Sequence, residues 1–392
     1  MSTCVTYISL NLDLDMSRFS SGIDLADREG KSRKRSLNVS NQTTTMPESY
    51  PMNGGDSTYS YTKNSYFQKT AINIAKSMID EAIVDYLDIK EFSSESLNNN
   101  TFCIADLGCS VGPNTFNSMQ NIIEAVQQKY QSQLGQIPDF QIFFNDHVSN
   151  DFNTLFSSLP PETERRYFAA GVPGSFHDRL FPNSSLHFVH SSYAIHWLSK
   201  LPEELLDENS PAWNRGRIQY CKAYAAQFAK DTARFLDARA KEIMVGGMLV
   251  LIMPSIPNNV PHSMFDLLGS SFMDLAKEEL ISEAQVDSFN LPLYAASPKE
   301  MTELINQNGF FSIVRMELNN LFSCIDSQTT GKSCTMHLRA ALEGIIVKHF
   351  GSKVIDEVFH RLYEKTQEFS ERLESSYKEG TQLVLVLKRK LK

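Results

Sequence analysis

The 392-residue chain is poor in cysteine and has no excess of positive charge. Its six cysteines include no Cys-x-x-Cys pair, which argues against a disulfide scaffold and favours a reduced, cytoplasmic protein. The 37 Lys and Arg face 46 Asp and Glu, and the net charge of −9 disfavours general nucleic-acid binding, which needs clustered cations. A membrane span needs about 18 consecutive apolar residues, and no apolar run is that long. Charge and hydropathy together therefore lead us to expect neither a nucleic-acid nor a membrane partner.

The first 50 residues differ in character from the rest of the chain. They combine a basic cluster, KSRKR at 31–35, with a stretch rich in Ser, Thr and Asn. The apolar core of a secretory signal is missing, and acidic residues in the first part argue against a transit peptide. We predict a disordered extension over 1–50. Translation from Met46 and a nuclear signal in the basic cluster are the alternatives.

Beyond residue 50, apolar runs typical of buried strands alternate with amphipathic helical patterns. The predicted strands include 101–106, 140–145, 248–253, 310–316 and 383–388, and a short aromatic helix is predicted at 193–199. This alternation predicts an α/β fold with a mostly parallel, Rossmann-like sheet and helices on both faces. The helices in 255–310 and 320–380 exceed what such a sheet needs, and we expect them to form a cap over the ligand end of the strands.

The segment 101–115, TFCIADLGCSVGPNT, is the centre of the predicted site. It indicates a buried strand ending in Asp106, a turn with Gly108 and Gly112, and the beginning of a helix. Such a turn lets main-chain N–H groups approach a ligand closely, and a helix N-terminus favours negative charge. A second apolar run, FQIFF, ends in Asp146. Two strand ends that carry carboxylates suit the cleft at the carboxyl edge of a parallel sheet.

The absence of a complete GxGxxG motif bears on the ligand. The turn has glycines only at 108 and 112. A dinucleotide-binding fold has an acid for the ribose about 20 residues after the glycine turn. Here the acid at the next strand end, Asp146, comes 40 residues after Asp106. Asp106 would also repel a pyrophosphate. A cofactor with a positive centre and no phosphate suits this turn better, and S-adenosylmethionine is such a molecule. Asp146 is then placed to accept from both ribose hydroxyls; the alternative is that these acids only cap helices.

Seven stretches, beginning at residue 52, resemble the plant SABATH methyltransferases, which methylate carboxyl groups of small acids and, in one branch, ring nitrogens of xanthines. They are MNGGDSTYSYTKNSYFQ, IADLGCSVGPNTF, FFNDHVSNDFNTLF, GVPGSFHDRLFP, HSSYAIHWLS, DSFNLPLY and HFG. The resemblance implies a methyltransferase domain over 51–392 and S-adenosylmethionine as co-substrate. It also implies a small iridoid, terpenoid or aromatic acid as methyl acceptor, and a homodimer, since relatives are often dimers.

The family's cofactor contacts carry over to matching positions of this sequence. They are Tyr61, Ser65, Gln68, Asp106, Cys109, Asn114, Asp146, His147, Ser175 and Phe176. In this scheme Asp106 receives ammonium and hydroxyl groups, Asp146 holds the ribose, and Phe176 stacks on or flanks adenine. His147 stands where leucine is common, and we expect little change because the contact is made through the backbone.

The substrate residues implied by the resemblance are Gln68, Tyr193, His196 and Trp197. Gln68 and Trp197 donate side-chain N–H groups to the substrate carboxylate, while Tyr193 and His196 line the same pocket. A carboxylic acid is ionised at pH 7, given reference pKa values of about 4, so we predict no catalytic acid or base. Placement and exclusion of water would then supply the catalysis. By pattern alone, His196 and Trp197 could equally be packed core residues.

The resemblance also suggests a structural Mg²⁺ ion. Its ligands would be Asn214, Asp287, the carbonyl of Phe289 and Asn290, an all-oxygen set that suits Mg²⁺ with waters completing the shell. The alternative is that Asp287 and Asn290 simply cap a loop.

Two segments that border the substrate are shorter than is usual in the family. One follows Arg217, and the other follows the run MLVLIM, with Phe265 near its end. Two further functions stay open beside carboxyl methylation. One is N-methylation of a purine-like base, since His196 also occurs in that branch of the family. The other, which the shortened segments suggest, is a weakly active paralogue with a shortened lid.

Overall fold

A seven-stranded sheet forms the centre of the fold. The computed structural model describes residues 50–95, 101–205, 222–255, 263–321, 327–368 and 382–391, all of them within one compact unit, 46–392. Apart from Tyr50, the predicted N-terminal extension lies outside these described residues.

The sheet is mostly parallel, as the sequence predicts. Its strands are β1 (Thr101–Leu107), β2 (Asp139–Asp146), β3 (Phe168–Pro173), β4 (Leu186–Ser192), β5 (Ile243–Pro254), β6 (Phe311–Asn319) and β7 (Gln382–Arg389). They lie in the order β3-β2-β1-β4-β5-β7-β6. The first five are parallel, and β7 runs antiparallel between β5 and β6. The strand order reverses between β1 and β4, which is where open α/β sheets bind their ligands.

Helices follow or precede each strand. They are α1 (Tyr61–Asn64), α2 (Tyr66–Tyr86), α3 (Ile89–Glu95), α4 (Pro113–Gln133), α5 (Phe152–Ser157), α6 (Lys222–Glu242), α7 (Ser263–Lys277), α8 (Glu283–Ser288), α9 (Pro298–Asn308), α10 (Ser327–Phe350) and α11 (Ile355–Glu368). No helix among the described residues has the length and apolar character to cross a membrane.

The alternation of side chains along β1 builds a core on each face of the sheet. Phe102 and Ile104 pack with α2 and α4 on one face. Ala105 and Leu107 pack with α6 and α9 on the other. Because both faces are covered, the strand is apolar almost throughout, as is typical of central parallel strands.

A third core cluster lies among the helices α7, α8, α10 and α11. Phe67 and Ala71 of α2 belong to this cluster, while Ile72 and Ala75 of the same helix pack on the sheet. Helix α2 therefore joins the sheet to the helical layer, and it carries residues of both predicted ligand sets.

The prediction of a short aromatic helix at 193–199 is wrong. The chain makes a turn there, and Trp197 forms an isolated bridge with Leu293. Helices α3 and α8 are not predicted from the sequence. Both are only six or seven residues long, too short for a clear hydrophobic period.

Candidate active site

A cleft of about 620 Å³ opens at the carboxyl ends of β1, β2 and β4. The predicted site residues that line it are Tyr61, Asp146, His147, Phe176, Tyr193 and Trp197. The predicted residues that do not line it are Ser65, Gln68, Asp106, Cys109, Asn114, Ser175 and His196. The structure thus brings the two strand ends and the aromatic turn together around one cleft.

The turn after β1 requires glycine at its first position. Gly108 has φ of +77°, and a Cβ atom built on it would lie 2.3 Å from Cβ of Ala194. Gly112 has φ of +107° and is the N-cap of α4, with Pro113 following as the first helical residue. Both positions need a backbone that other residues adopt only at a cost. The turn can therefore pass close to the segment after β4.

Asp146, at the end of β2, has both carboxylate oxygens anchored by main-chain groups. The N–H of Ser110 donates to Oδ2 at 2.8 Å, and the N–H of His147 donates to Oδ1 at 2.7 Å. Each oxygen keeps a further lone pair, so the carboxylate can accept two more hydrogen bonds side by side. Desolvation in the cleft raises the pKa of Asp146, and the bonds from Ser110 and His147 oppose that shift. This geometry suits a vicinal diol such as a ribose.

Asp106, at the end of β1, is only 4% exposed and lies beside the cleft lining rather than in it. Its Oδ1 accepts from Nδ1 of His190 on β4 at 2.8 Å, and its Oδ2 accepts from the hydroxyl of Thr115 on α4. An ionised carboxylate only accepts hydrogen bonds, so Nδ1 of His190 carries a proton. The group ties β1, β4 and α4 together beneath the glycine turn. A direct contact of Asp106 with the cofactor stays a prediction.

The segment after β3 forms the aromatic wall of the cleft. The ring centroid of Phe176 lies 6.5 Å from that of His147 and 4.6 Å from that of His177. Ser175 accepts from the N–H of His177 through its hydroxyl at 3.3 Å. Burial lowers the pKa of His177 to about 4, so this ring is neutral at pH 7. Its Nδ1 has no hydrogen-bond partner among the described residues.

Tyr193, which follows β4, is held in an unusual conformation. Its φ is +52°, its N–H donates to the carbonyl of Ile252 at 2.7 Å, and its hydroxyl donates to Oε1 of Gln382 at 3.2 Å. Gln382 in turn donates to the carbonyl of Ala71 at 3.1 Å. Left-handed backbone at a residue with a side chain stores strain and is common at functional sites. Ser110, on the opposite side of the cleft, has φ of +53°.

Trp197 and Tyr50 form a stacked pair at the mouth of the cleft, with ring centroids 6.0 Å apart and an angle of 26° between the planes. His196 is half-buried beside them. Its ring lies 6.1 Å from that of Tyr193 and 5.9 Å from that of Trp197. The two predicted aromatic substrate residues, Tyr193 and Trp197, therefore line the cleft, and His196 supports them from the side.

Three predicted residues, Ser65, Gln68 and Asn114, lie outside the cleft lining, at the beginnings of α2 and α4. Asn114 donates to both the carbonyl and the hydroxyl of Ser65, at 3.0 and 2.9 Å. This contact joins the beginnings of α4 and α2. Gln68, one turn further along α2, is 7% exposed, and its Oε1 has no hydrogen-bond partner among the described residues.

Cys109 is not a nucleophile in this arrangement. It is buried, its N–H donates to the carbonyl of Asn145 at 2.9 Å, and burial raises the pKa of its thiol, with Asp146 and Asp106 adding to the effect. The thiol therefore stays protonated at pH 7, and the contribution of Cys109 is to the shape of the turn.

The predicted metal ligands are only partly described. Asn214 lies outside the described residues. Asp287 is half-buried, and Asn290 accepts from the hydroxyl of Tyr224 at 3.3 Å through Oδ1. Across the described ranges no group of three or more His, Cys, Asp or Glu side chains could hold a metal ion. The predicted magnesium ion therefore stays a prediction.

Sequence reasoning missed several residues that line or support the cleft. Ser110 and Asn150 line it, and Asn150 donates to the carbonyl of Ser110 at 3.1 Å. His190, at the end of β4, supports Asp106. A polar residue at the end of an apolar strand identified Asp106 and Asp146, and the same signal could have identified His190. The reason is that β4 is a third parallel strand that ends at the same edge of the sheet. Tyr50 carried no such signal, since only the tertiary fold brings it to Trp197.

A Rossmann-like sheet with a cleft at its switch point, lined by a strand-end carboxylate and an aromatic wall, is typical of enzymes that bind a nucleoside cofactor. The family model described as SAM-dependent carboxyl methyltransferase matches residues 47–390. The chain belongs to this family, the SABATH methyltransferases of plants, and the resemblance predicted from its motifs is confirmed. S-adenosylmethionine as co-substrate and carboxyl methylation as the reaction class follow from that membership.

Individual relatives agree with the family match. Loganic acid O-methyltransferase from Catharanthus roseus is 44% identical over 373 residues, which cover 88% of this chain and 96% of the relative. Paraxanthine methyltransferase 2 from Arabidopsis thaliana is 37% identical over 363 residues, which cover 88% and 99%. A solved structure of loganic acid methyltransferase with SAH superposes with a TM-score of 0.82 at 44% identity, covering 87% of this chain and 99% of the other.

Proposed function

We propose that this chain methylates the carboxylate of a small plant acid of the iridoid or terpenoid type, with aromatic acids as the second class. The observation that carries the proposal is that Tyr193 and Trp197 share one cleft with Asp146. No Lys or Arg lines the described part of that cleft. Neutral donors bind a carboxylate without quenching its negative charge, so its oxygen stays nucleophilic towards the methyl group.

In this mechanism the chain holds two reactants in line and supplies no acid or base. Asp146 binds the ribose hydroxyls, and Phe176 flanks the adenine. Trp197, which lines the cleft, donates its N–H to the substrate carboxylate. The family resemblance assigns a second N–H donor to Gln68, which lies outside the cleft lining. Desolvation raises the pKa of the phenols of Tyr61 and Tyr193 above the ordinary value of about 10, so both are neutral at pH 7 and neither serves as a base. Such placement supplies on the order of 7–11 kcal/mol of the barrier in well-oriented pairs.

The test is incubation with S-adenosylmethionine labelled in the methyl group and a panel of acceptors. The panel holds loganic acid, farnesoic acid, benzoic acid, salicylic acid and paraxanthine. We expect label in base-labile methyl esters of at least one of the four acids. Label that appears only in paraxanthine products stable to base would contradict the carboxyl proposal.

Trp197→Phe is the matched variant for the substrate side. The substitution keeps an aromatic ring beside Tyr50 and removes the indole N–H. We expect kcat/KM for the acid to fall about tenfold or more, which is the effect of losing one hydrogen bond to a charged group. The affinity for S-adenosylhomocysteine should be unchanged, because in this mechanism Trp197 contacts only the acid.

N-methylation of a purine-like base is the second candidate. The match to paraxanthine methyltransferase 2 favours it, and the paraxanthine arm of the panel decides it. The third candidate, a weakly active paralogue, depends on the shortened segments after Arg217 and Pro254. These segments lie mainly outside the described residues.

A structural Mg²⁺ ion belongs to the proposal as well. Asp287, the carbonyl of Phe289 and Asn290 would supply the hard oxygen ligands that this ion prefers. No reaction step depends on this ion.

A further inference from the structure

The side chain of Gln68 contacts a histidine of the helical layer. Nε2 of Gln68 on α2 lies 3.3 Å from Nε2 of His337 on α10. The other ring nitrogen of His337, Nδ1, lies 3.3 Å from the main-chain carbonyl oxygen of Asn64. His337 thus bridges the residue that ends α1 and the amide predicted to hold the substrate.

The two contacts of His337 determine where its proton lies. A carbonyl oxygen only accepts, so Nδ1 of His337 carries the hydrogen that is donated to Asn64. In a neutral ring, Nε2 then has a lone pair and accepts from the NH₂ group of Gln68. Desolvation lowers the pKa of His337 to about 4, so the ring is neutral at pH 7. A charged ring would place two donors against each other.

This proton arrangement fixes which way the amide of Gln68 faces. Rotating the amide by 180° would set the lone pairs of Oε1 against that of Nε2 of His337. In the observed orientation one N–H of Gln68 is used by His337, and the second N–H remains to donate to another acceptor. Oε1 has no hydrogen-bond partner among the described residues, and it can accept from a donor of the cofactor.

Packing holds the imidazole ring of His337 in place. Its centroid lies 5.5 Å from that of Phe67, which precedes Gln68 on α2. Three residues after His337 on α10, the main-chain carbonyl of Ala340 accepts a hydrogen bond from the N–H of Asn53 at 2.9 Å. The N-terminal segment that reaches the cleft with Tyr50 is therefore attached to the same stretch of α10.

We propose that His337 is a positioning residue for substrate binding: in its neutral Nδ1–H form it orients the amide of Gln68 so that an N–H faces the substrate carboxylate. Helix α10 thereby takes part in acid recognition through Gln68. This inference rests on the proposed role of Gln68 in binding the acid carboxylate.

Three substitutions separate the two hydrogen bonds of His337. His337→Asn has a donor near the place of Nδ1 and no acceptor near Nε2. His337→Gln has an amide oxygen near the place of Nε2, and His337→Phe keeps the ring and removes both groups. Thr335→Val is the control, since its buried hydroxyl bonds only to the carbonyl of Gly331 within α10, at 2.9 Å.

The expected result is a split between these variants with the acid that the wild type methylates best. With saturating S-adenosylmethionine, the Asn and Phe variants should raise KM for the acid about 3- to 10-fold, the effect of one neutral hydrogen bond. The Gln and Thr335→Val variants should stay within about 2-fold of wild type. Equal losses in the Asn and Gln variants, or losses that follow the melting temperature, would overturn the proposal.

A double-mutant cycle tests the coupling directly. In a Gln68→Met background, His337→Asn should have no further effect on KM for the acid, because the amide that it orients is absent. Independent, additive effects of the two substitutions would show that His337 acts by another route.

A measurement without turnover separates this proposal from the proposed function. Nitrogen-15 NMR of histidine-labelled protein, with His337→Gln used to assign the signal, should show a neutral Nδ1–H ring for His337 at pH 7. An Nε2–H or charged ring would overturn the positioning role even if the enzyme methylates acids. Wild-type protein that methylates no acid would instead overturn the proposed function, and with it the substrate role of Gln68.

Discussion

Arg239 and Glu242 form an ion pair of 2.6 Å that is completely buried behind the aromatic wall of the cleft. Glu242 accepts from the N–H groups of Leu180 and Phe181 through Oε1, at 2.6 and 3.0 Å. Arg239 donates to the carbonyl of Phe176 at 2.8 Å and to a second carbonyl two residues on. The last turn of α6 therefore holds the main chain of the loop that carries Phe176.

Breaking this pair should destabilise the fold. Arg239→Met leaves the charge of Glu242 buried without its partner, and we expect the free energy of unfolding to fall by about 3–5 kcal/mol. Chemical denaturation measures the change. Lys76→Gln, which removes a partly exposed pair with Asp80 on α2, is the control and should cost no more than about 0.5 kcal/mol. Similar small losses in both variants would contradict the structural role of the buried pair.

Asp146→Asn should weaken cofactor binding more than it weakens the fold. The amide has one acceptor oxygen in place of two, and its NH₂ group would face the N–H of Ser110 or of His147. We expect the Kd for S-adenosylhomocysteine, measured by calorimetry, to rise about 10- to 100-fold, since hydrogen bonds to a charged group are worth about 1.5–3 kcal/mol each. Asp139→Asn changes the exposed acid at the opposite end of β2 and should leave the Kd unchanged. Unaltered binding in Asp146→Asn would show that the ribose is held elsewhere.

Gly108→Ala should be destabilised both by backbone strain and by a steric clash, whereas Gly55→Ala should be destabilised by backbone strain alone. Gly55 has φ of +67° but open space around an added Cβ, whereas at Gly108 the added Cβ meets Ala194. We expect about 1–2 kcal/mol for Gly55→Ala from the backbone alone, and about 3 kcal/mol or more for Gly108→Ala. Adding Ala194→Gly to Gly108→Ala should recover the difference. If it recovers nothing, the contact between the two segments is not the cause.

His177 should make the protein less stable in mild acid. Its pKa is about 4 in the folded protein and about 6.5 when unfolded. Between these values the unfolded chain binds the proton and the folded chain does not, so stability falls as the pH is lowered from about 6.5 towards 4. The slope from this one group is at most about 1.4 kcal/mol per pH unit.

His177→Phe removes this titration, so the difference in unfolding free energy between variant and wild type should shift in favour of the variant below pH 6. Above pH 7 the difference should be constant. Denaturation curves from pH 4.5 to 8 give the comparison. A difference independent of pH over the whole range would show that His177 titrates normally.

Removal of metal tests the proposed Mg²⁺ ion. If the loop at 287–290 binds the ion, EDTA should lower the melting temperature and added Mg²⁺ should restore it, because a ligand that binds only the folded state stabilises it. Asp287→Asn should abolish this response while kcat at a common temperature changes little. A response to EDTA that is equal in wild type and variant would place the ion elsewhere.

The sequence by itself determined the class of fold and the two strand ends of the site. Apolar runs that alternate with helical periods specify a parallel sheet, because local pattern reports which faces are covered. The turn at 108–112 and the acids after β1 and β2 were also local signals. The assignment of the chain beyond residue 50 to a methyltransferase rested instead on the seven motifs that resemble the SABATH family, which are also local stretches of sequence.

The tertiary structure decided which of these residues meet. Asp106 and Asp146 look equivalent in sequence, and each accepts a hydrogen bond on both carboxylate oxygens. Asp146 nevertheless lines the cleft, whereas Asp106 lies beside the lining, bound to side chains of β4 and α4. The aromatic segment at 193–199 has a helical pattern, but its bridge to Leu293 and the bond from Tyr193 to Ile252 override it. Contacts such as Gln68 with His337, 269 residues apart, leave no local signal, since only the packing of α10 against α2 creates them.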